Sequence, residues 1–162
     1  MPLDLIEGGC SAVKKLRAYI DTSVVGGCLD DEFANASRAL LGMARRGEVT
    51  LVLSDLLAVE VSRAPQGVRD VFDSLPDEWV EIVTSSTETE RMRDMYLTAG
   101  VVGTASVNDA HHVAIATVYQ VDMIVSWNFR HIVHFDKIRA YNSVNLREGY
   151  GSIEIRTPRE LV

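Results

Sequence analysis

Short, unbroken apolar runs alternate along this chain with longer stretches in which apolar residues recur every three or four positions. Leu16-Arg17-Ala18-Tyr19-Ile20 and Val49-Thr50-Leu51-Val52-Leu53 read as strands, as do residues 79–83 and the apolar run at residues 122–126. Phe33, Ala36, Leu40 and Ala44 trace one face of a helix that closes at Arg45-Arg46-Gly47, with cations in its last turn and glycine just beyond. Ser54 or Asp55 caps a short helix running through Glu60 to about Arg63, and Pro65 breaks it. Val68, Val71, Phe72 and Leu75 form the next helical stripe, closed by Pro76. Thr87 and Glu90 have capping-box spacing ahead of Met92, Met95, Tyr96 and Ala99, with Gly100 as the stop. Ser106 opens a largely apolar helix through Ala110, Val113, Ala114, Ala116 and Val118. Ile153-Glu154-Ile155 then alternates like an edge strand, and Thr157-Pro158 sets up a last helical turn with proline in first position. Helices alternating with apolar strands predict an α/β fold whose mostly parallel sheet is covered on both faces.

A length of 162 residues fits one domain able to bury its own core, and 47% hydrophobic with 24% charged residues lies in the ordinary globular range. No apolar run is long enough for a membrane span, so no membrane contact is expected. Asp4 and Glu7 interrupt the only apolar patch at the start of the chain, which argues against a secretory leader and for a cytoplasmic protein. Cys10 and Cys28 alone offer neither a disulfide framework nor a zinc knuckle. The net charge of −7 argues against broad electrostatic capture of nucleic acid, although a bound divalent cation would invert the potential locally.

Part of that negative charge has a pattern. In an open parallel sheet, ligands collect outside the carboxyl ends of the strands. Asp21 directly follows one predicted strand and Asn128 lies just past another, while Glu60 and Asp109 sit on helices entered from that same edge. Glu60 and Asp109 share helix faces with apolar neighbours, where a carboxylate is costly unless it is paired or holds a cation. The four oxygen-bearing side chains therefore point to a metal site, and to a hard ion, Mg²⁺ or Mn²⁺. Each has a plainer role to set beside this: Asp109 as capping-box partner of Ser106, Asp21 in an Asx turn, Glu60 as a solvated residue, Asn128 in a turn. A zinc site from His111, His112, His131 and His134 is disfavoured, because adjacent helical histidines diverge and no HExxH or cysteine partner is present. A phosphoaspartate reading of Asp21-Thr22-Ser23 fails because Ser23 stands where a second aspartate is needed. P-loop, dinucleotide and GxSxG patterns are absent from the sequence.

The ordered set Ile20-Asp21-Thr22-Ser23, Leu57-Ala58-Val59-Glu60, Asn108-Asp109-Ala110-His111-His112-Val113-Ala114 and Ser126-Trp127-Asn128-Phe129-Arg130-His131-Ile132 resembles the PIN-domain family. It is similar to the VapC-like branch of type II toxin ribonucleases. The likeness runs from Arg17 through the Thr157-Pro158-Arg159-Glu160-Leu161 tail, leaving residues 1–16 as an N-terminal extension to a single domain of residues 17–162. It implies a three-layer α/β/α sandwich, a Mg²⁺- or Mn²⁺-dependent endoribonuclease of single-stranded RNA leaving a 5′-phosphate and a 3′-hydroxyl, and a homodimer. In the toxin branch it also implies neutralisation by a cognate antitoxin that binds DNA. On this basis Asp21 is the expected central ligand, with Glu60 and Asp109 completing a carboxylate cage and Asn128 standing where the family commonly has Asp. Ser23 is expected to donate to substrate or water, and Arg63, Arg130 and Arg147 are candidate contacts to the RNA backbone. The alternative is a catalytically inactive PIN-like module that binds RNA or protein without cutting.

Overall fold

A computed structural model describes residues 14–162. The expected extension and Cys10 fall almost wholly outside the described residues. Five strands form one parallel sheet: β1 (Leu16–Ile20), β2 (Val49–Ser54), β3 (Val80–Val83), β4 (Met123–Val125) and β5 (Glu154–Arg156), in the order β3-β2-β1-β4-β5. The first strand in sequence is thus the central one, pairing with β2 on one side and β4 on the other, with Ile20 opposite Val125.

Seven helices cover the sheet: α1 (Thr22–Gly27), α2 (Ala34–Arg45), α3 (Asp55–Ser62), α4 (Gln66–Asp73), α5 (Thr87–Thr98), α6 (Val107–Val118) and α7 (Phe135–Arg147). Alternation along the strands sends side chains to two separate cores. Ala18, Ile20, Leu51, Leu53 and Val125 pack with α1 and α2 on one face, while Tyr19, Val52, Ile124 and Ile155 pack with α5, α6 and α7 on the other. This is the α/β/α sandwich expected from the sequence.

Local chemistry sets most boundaries. Ser54 caps α3 by accepting from Leu57 N–H at 3.1 Å. Gly47 and Gly100 adopt φ of +74° and +72°, as helix-ending glycines do. The cap of α5 lies one residue earlier than the spacing suggested: Ser86 and Thr89 form the reciprocal pair, because Ser86 holds the extended conformation a cap requires. Residues 79–83 are also shorter as a strand, since a 3-10 turn takes up Asp77–Trp79 before β3. Helices α1 and α7 escaped the periodicity altogether. In α7 a fully buried Asn145 interrupts the apolar stripe, while Phe135 and Leu146 lie exposed. Tyr96 and Thr117 satisfy Asn145, through bonds of 2.5 and 3.2 Å.

Among the described residues no helix is long and apolar enough to cross a membrane.

Candidate active site

The strand order reverses between β1 and β4, the place where open parallel sheets form a crevice at their carboxyl edge. Asp21 leaves β1 there and is 4% exposed. Although it occupies the N-cap position of α1, its carboxylate makes no cap bond. Instead Oδ1 accepts from the Ser23 hydroxyl at 2.5 Å and Oδ2 from the Ser126 hydroxyl at 2.6 Å. Burial pushes the Asp21 carboxyl up, and the nearby Asp109 charge adds to this against the pull of His112 and the two hydroxyls.

Ser126 and Ser23 also fix the loop after β4. Asn128 N–H donates to Ser126 Oγ at 2.9 Å and Trp127 N–H to Ser23 Oγ at 2.8 Å. Ser23 is therefore committed on both sides, donating to Asp21 and accepting from the loop. The Trp127 indole N–H reaches the buried Ser37 hydroxyl at 2.7 Å. This seat exists because position 27 is glycine: a Cβ there would lie 2.6 Å from Ser37 Oγ and 2.8 Å from Trp127 Nε1. Gly27→Ala is accordingly expected to cost about 1–3 kcal/mol through overpacking, read as a lowered midpoint in urea unfolding.

Glu60, on α3, is half-buried and hydrogen-bonds His112 Nε2. Burial works to raise its pKa, but the His112 bond and charge, helped by the nearby Thr22 hydroxyl, leave the carboxyl below its ordinary value. That Thr22 Oγ1 is buried without a hydrogen bond of good geometry. On its other side His112 Nδ1 meets the Tyr19 hydroxyl at 2.5 Å, and Tyr19 meets Ser54 Oγ at 2.8 Å. A continuous polar chain thus runs from the cap of α3 through β1 and α6 to Glu60. His111 turns away to Thr89, 3.3 Å from its hydroxyl, as divergence of neighbouring helical residues requires.

Asp109 lies half-buried in the first turn of α6, and its capping-box role is not realised, because Ser106 makes no side-chain cap bond. Neither Asp21 nor Asp109 has a Lys or Arg partner among the described residues. A further acid near the edge, Asp55, is spent on structure, holding Ser85 N–H at 2.9 Å and Ser85 Oγ at 2.6 Å. Asn128 Oδ1 accepts His131 N–H at 2.9 Å, which is its turn role. Arg63 and Arg130 are exposed and make no ion pair among the described residues; Arg147 is exposed and 3.6 Å from Glu148.

The four expected ligands therefore share one edge of the sheet but do not close into a cage. No three His, Cys, Asp or Glu side chains among the described residues converge on a metal-sized point, and Glu60 is bonded to His112. Asp21 and Asp109 remain a carboxylate pair with no Lys or Arg paired to either among the described residues. Two carboxylates suit Mg²⁺ or Mn²⁺, which retain several waters rather than demanding an all-protein shell. Sequence reading gave no role to Tyr19 or Ser126 and weighed His112 only as a zinc ligand, because what joins them to the site is contact between elements far apart in the chain.

No protein-family model matches this sequence, nor does any curated protein. Solved structures do match. A VapBC2 complex from Rickettsia felis, bound to a DNA fragment from its promoter, superposes with a TM-score of 0.53 at 11% identity, over 88% of this chain and 98% of that one. VapC20 from Mycobacterium tuberculosis, a toxin that cleaves the Sarcin-Ricin loop, gives 0.52 at 12% identity, over 70% of this chain and 92% of that one.

Proposed function

We propose, from the premise that this chain has the fold of VapC-type PIN domains, that it is a Mg²⁺- or Mn²⁺-dependent endoribonuclease and the toxin of a toxin-antitoxin pair. The observation that carries the reading is Asp21: a carboxylate 4% exposed, with Asp109 near it and no Lys or Arg against either. Burying such charge is unfavourable unless a cation joins it. Asp21 and Asp109 would hold the ion, which when bound supplies Lewis-acid stabilisation of the phosphate and lowers the pKa of a water.

The chain's own groups do the rest. Hydroxyls of Ser23 and Ser126 fix the rotamer of Asp21 so that both its oxygens stay at the crevice. Glu60, oriented by His112, would complete the acidic edge as a further ligand or as acceptor of a water's proton. Asn128 would add a neutral amide at the same edge, while exposed Arg130 and Arg63 are available to RNA phosphates. RNA as substrate and a cognate antitoxin are supported by the likeness to VapC20 and VapBC2, and a homodimer belongs to this proposal on the sequence resemblance alone.

Its test is cleavage of single-stranded RNA with Mg²⁺ or Mn²⁺ against a chelator control. Asp109→Ala is expected to lower the rate on the order of 10²–10³-fold while leaving the circular dichroism spectrum unchanged. Asn128→Asp keeps the turn to His131, adds one negative charge, and should lower the metal concentration for half-maximal activity. A folded Asp109→Ala protein that cuts as fast as the parent would assign the activity elsewhere. A parent that binds metal yet cuts no RNA would make the chain an interaction module.

A further inference from the structure

Beside the carboxylate pair lies an aromatic cluster that the proposed chemistry does not use. Trp127 is 5% exposed and stacks on Phe33, with ring centroids 4.3 Å apart and planes at 24°. Phe129 leans on both, 6.3 Å from Phe33 and 6.1 Å from Trp127, and is 47% exposed. The Arg159 guanidinium lies 5.3 Å from the Trp127 ring and 5.8 Å from Phe33. Its one hydrogen bond among the described residues is to the Glu32 carbonyl, at 3.2 Å, and no carboxylate neutralises it.

Two features make this more than a patch of core left uncovered. Its rigidity is built in, since Trp127 is pinned through its indole to Ser37 and through its backbone to Ser23. It is also continuous with the candidate site: Phe129 directly follows Asn128, whose N–H bonds the same Ser126 that orients Asp21. An exposed aromatic face one residue along the chain from Asn128, with a cation over the two rings that back it, has the chemistry that holds an unstacked base.

We propose that Phe129, backed by Phe33 and Trp127 and flanked by Arg159, is a stacking platform for a base of single-stranded RNA next to the scissile phosphate. This rests on the nuclease reading for the position of the phosphate, but base stacking itself needs no cleavage. Every base has a π-face, so the platform would select unpaired RNA over duplex rather than one base over another.

The test uses a short RNA carrying 2-aminopurine, whose fluorescence falls on stacking, titrated into the full chain with EDTA present so that no strand is cut. The parent should quench the probe, Phe129→Ala should weaken binding about tenfold, and Phe129→Trp should restore it. Phe129→Leu, apolar but without a π-face, should behave like Ala. In the metal-loaded cleavage assay Phe129→Ala should lower kcat/KM by a similar factor, mainly through KM, for an RNA with bases throughout. It should have no further effect on an RNA with abasic linkers beside the cleaved bond. Quenching by a parent that cuts nothing would retain the platform and remove the nuclease. Equal quenching by parent and Phe129→Ala overturns the platform. If that equality comes with a drop from dimer to monomer mass in light scattering, the face belongs to a second copy of this chain.

Discussion

Asp21→Asn is expected to melt several degrees higher than the parent without metal at pH 7, yet to lose RNA cleavage and the gain in stability given by Mn²⁺. The substitution keeps the shape and one of the two serine contacts, since the amide NH2 cannot accept from a hydroxyl, but it removes a charge that burial and Asp109 disfavour. For a domain of this size each kcal/mol corresponds to about 2–4 °C. The pH dependence fixes the sign. A carboxyl whose folded pKa is raised contributes stability that is complete below the unfolded value, about 3.9, and is lost as pH rises through the folded pKa. Glu60 and Asp55 are shifted downward and act oppositely, so the difference between parent and variant curves isolates Asp21. In thermal scans with EDTA from about pH 4 to pH 8, the variant's advantage should grow with pH. An advantage that is flat or shrinks would show that Asp21 is not held as a costly anion. An equal response of both proteins to Mn²⁺ would remove it as a ligand.

His112→Ala should be the most damaging single change to stability, at about 3–5 kcal/mol or a drop of roughly 10 °C. The imidazole is 3% exposed and bridges Tyr19 to Glu60, so its loss leaves the Tyr19 hydroxyl with Ser54 alone, takes the histidine from a half-buried carboxylate and opens a cavity. His112→Gln, which can satisfy only one side of the bridge, should fall between. Urea unfolding of the three proteins decides the matter. A loss under about 1 kcal/mol for the alanine variant would mean that water replaces the ring without penalty and that the polar chain does not brace the site.

The contrast between Asp109 and His112 shows what was legible beforehand. Asp109 could be found because its meaning lies in its own position: an acid on the apolar face of a helix, in its first turn. His112 stands three residues later and its role depends on Tyr19, Glu60 and Ser54, each from a different element, a combination that spacing along one strand or helix does not encode. Glu60 was singled out as an uncomfortable carboxylate, and the partner it has in the structure, His112, comes from another element. The sheet and most helices were plain because their apolar periods are clean. α7 was hidden by buried Asn145, a polar residue that belongs to the core only through Tyr96 and Thr117. α1, only six residues, is too short for a period to register.

The bond from Ser126 to Asp21 joins residues 105 positions apart. Because the first strand is the central one, its second neighbour in the sheet cannot dock until β4 has been made, and parallel pairings of such separation form slowly. At ~5–20 residues per second, a ribosome needs about 5–20 s to pass from one residue of that pair to the other. During that interval the nascent chain carries Asp21, and later Glu60, but not the hydroxyl and amide that complete the crevice. Under the proposed function, a protein that cuts RNA is thereby kept from acting during most of the time its own message is being read, with topology as the timer.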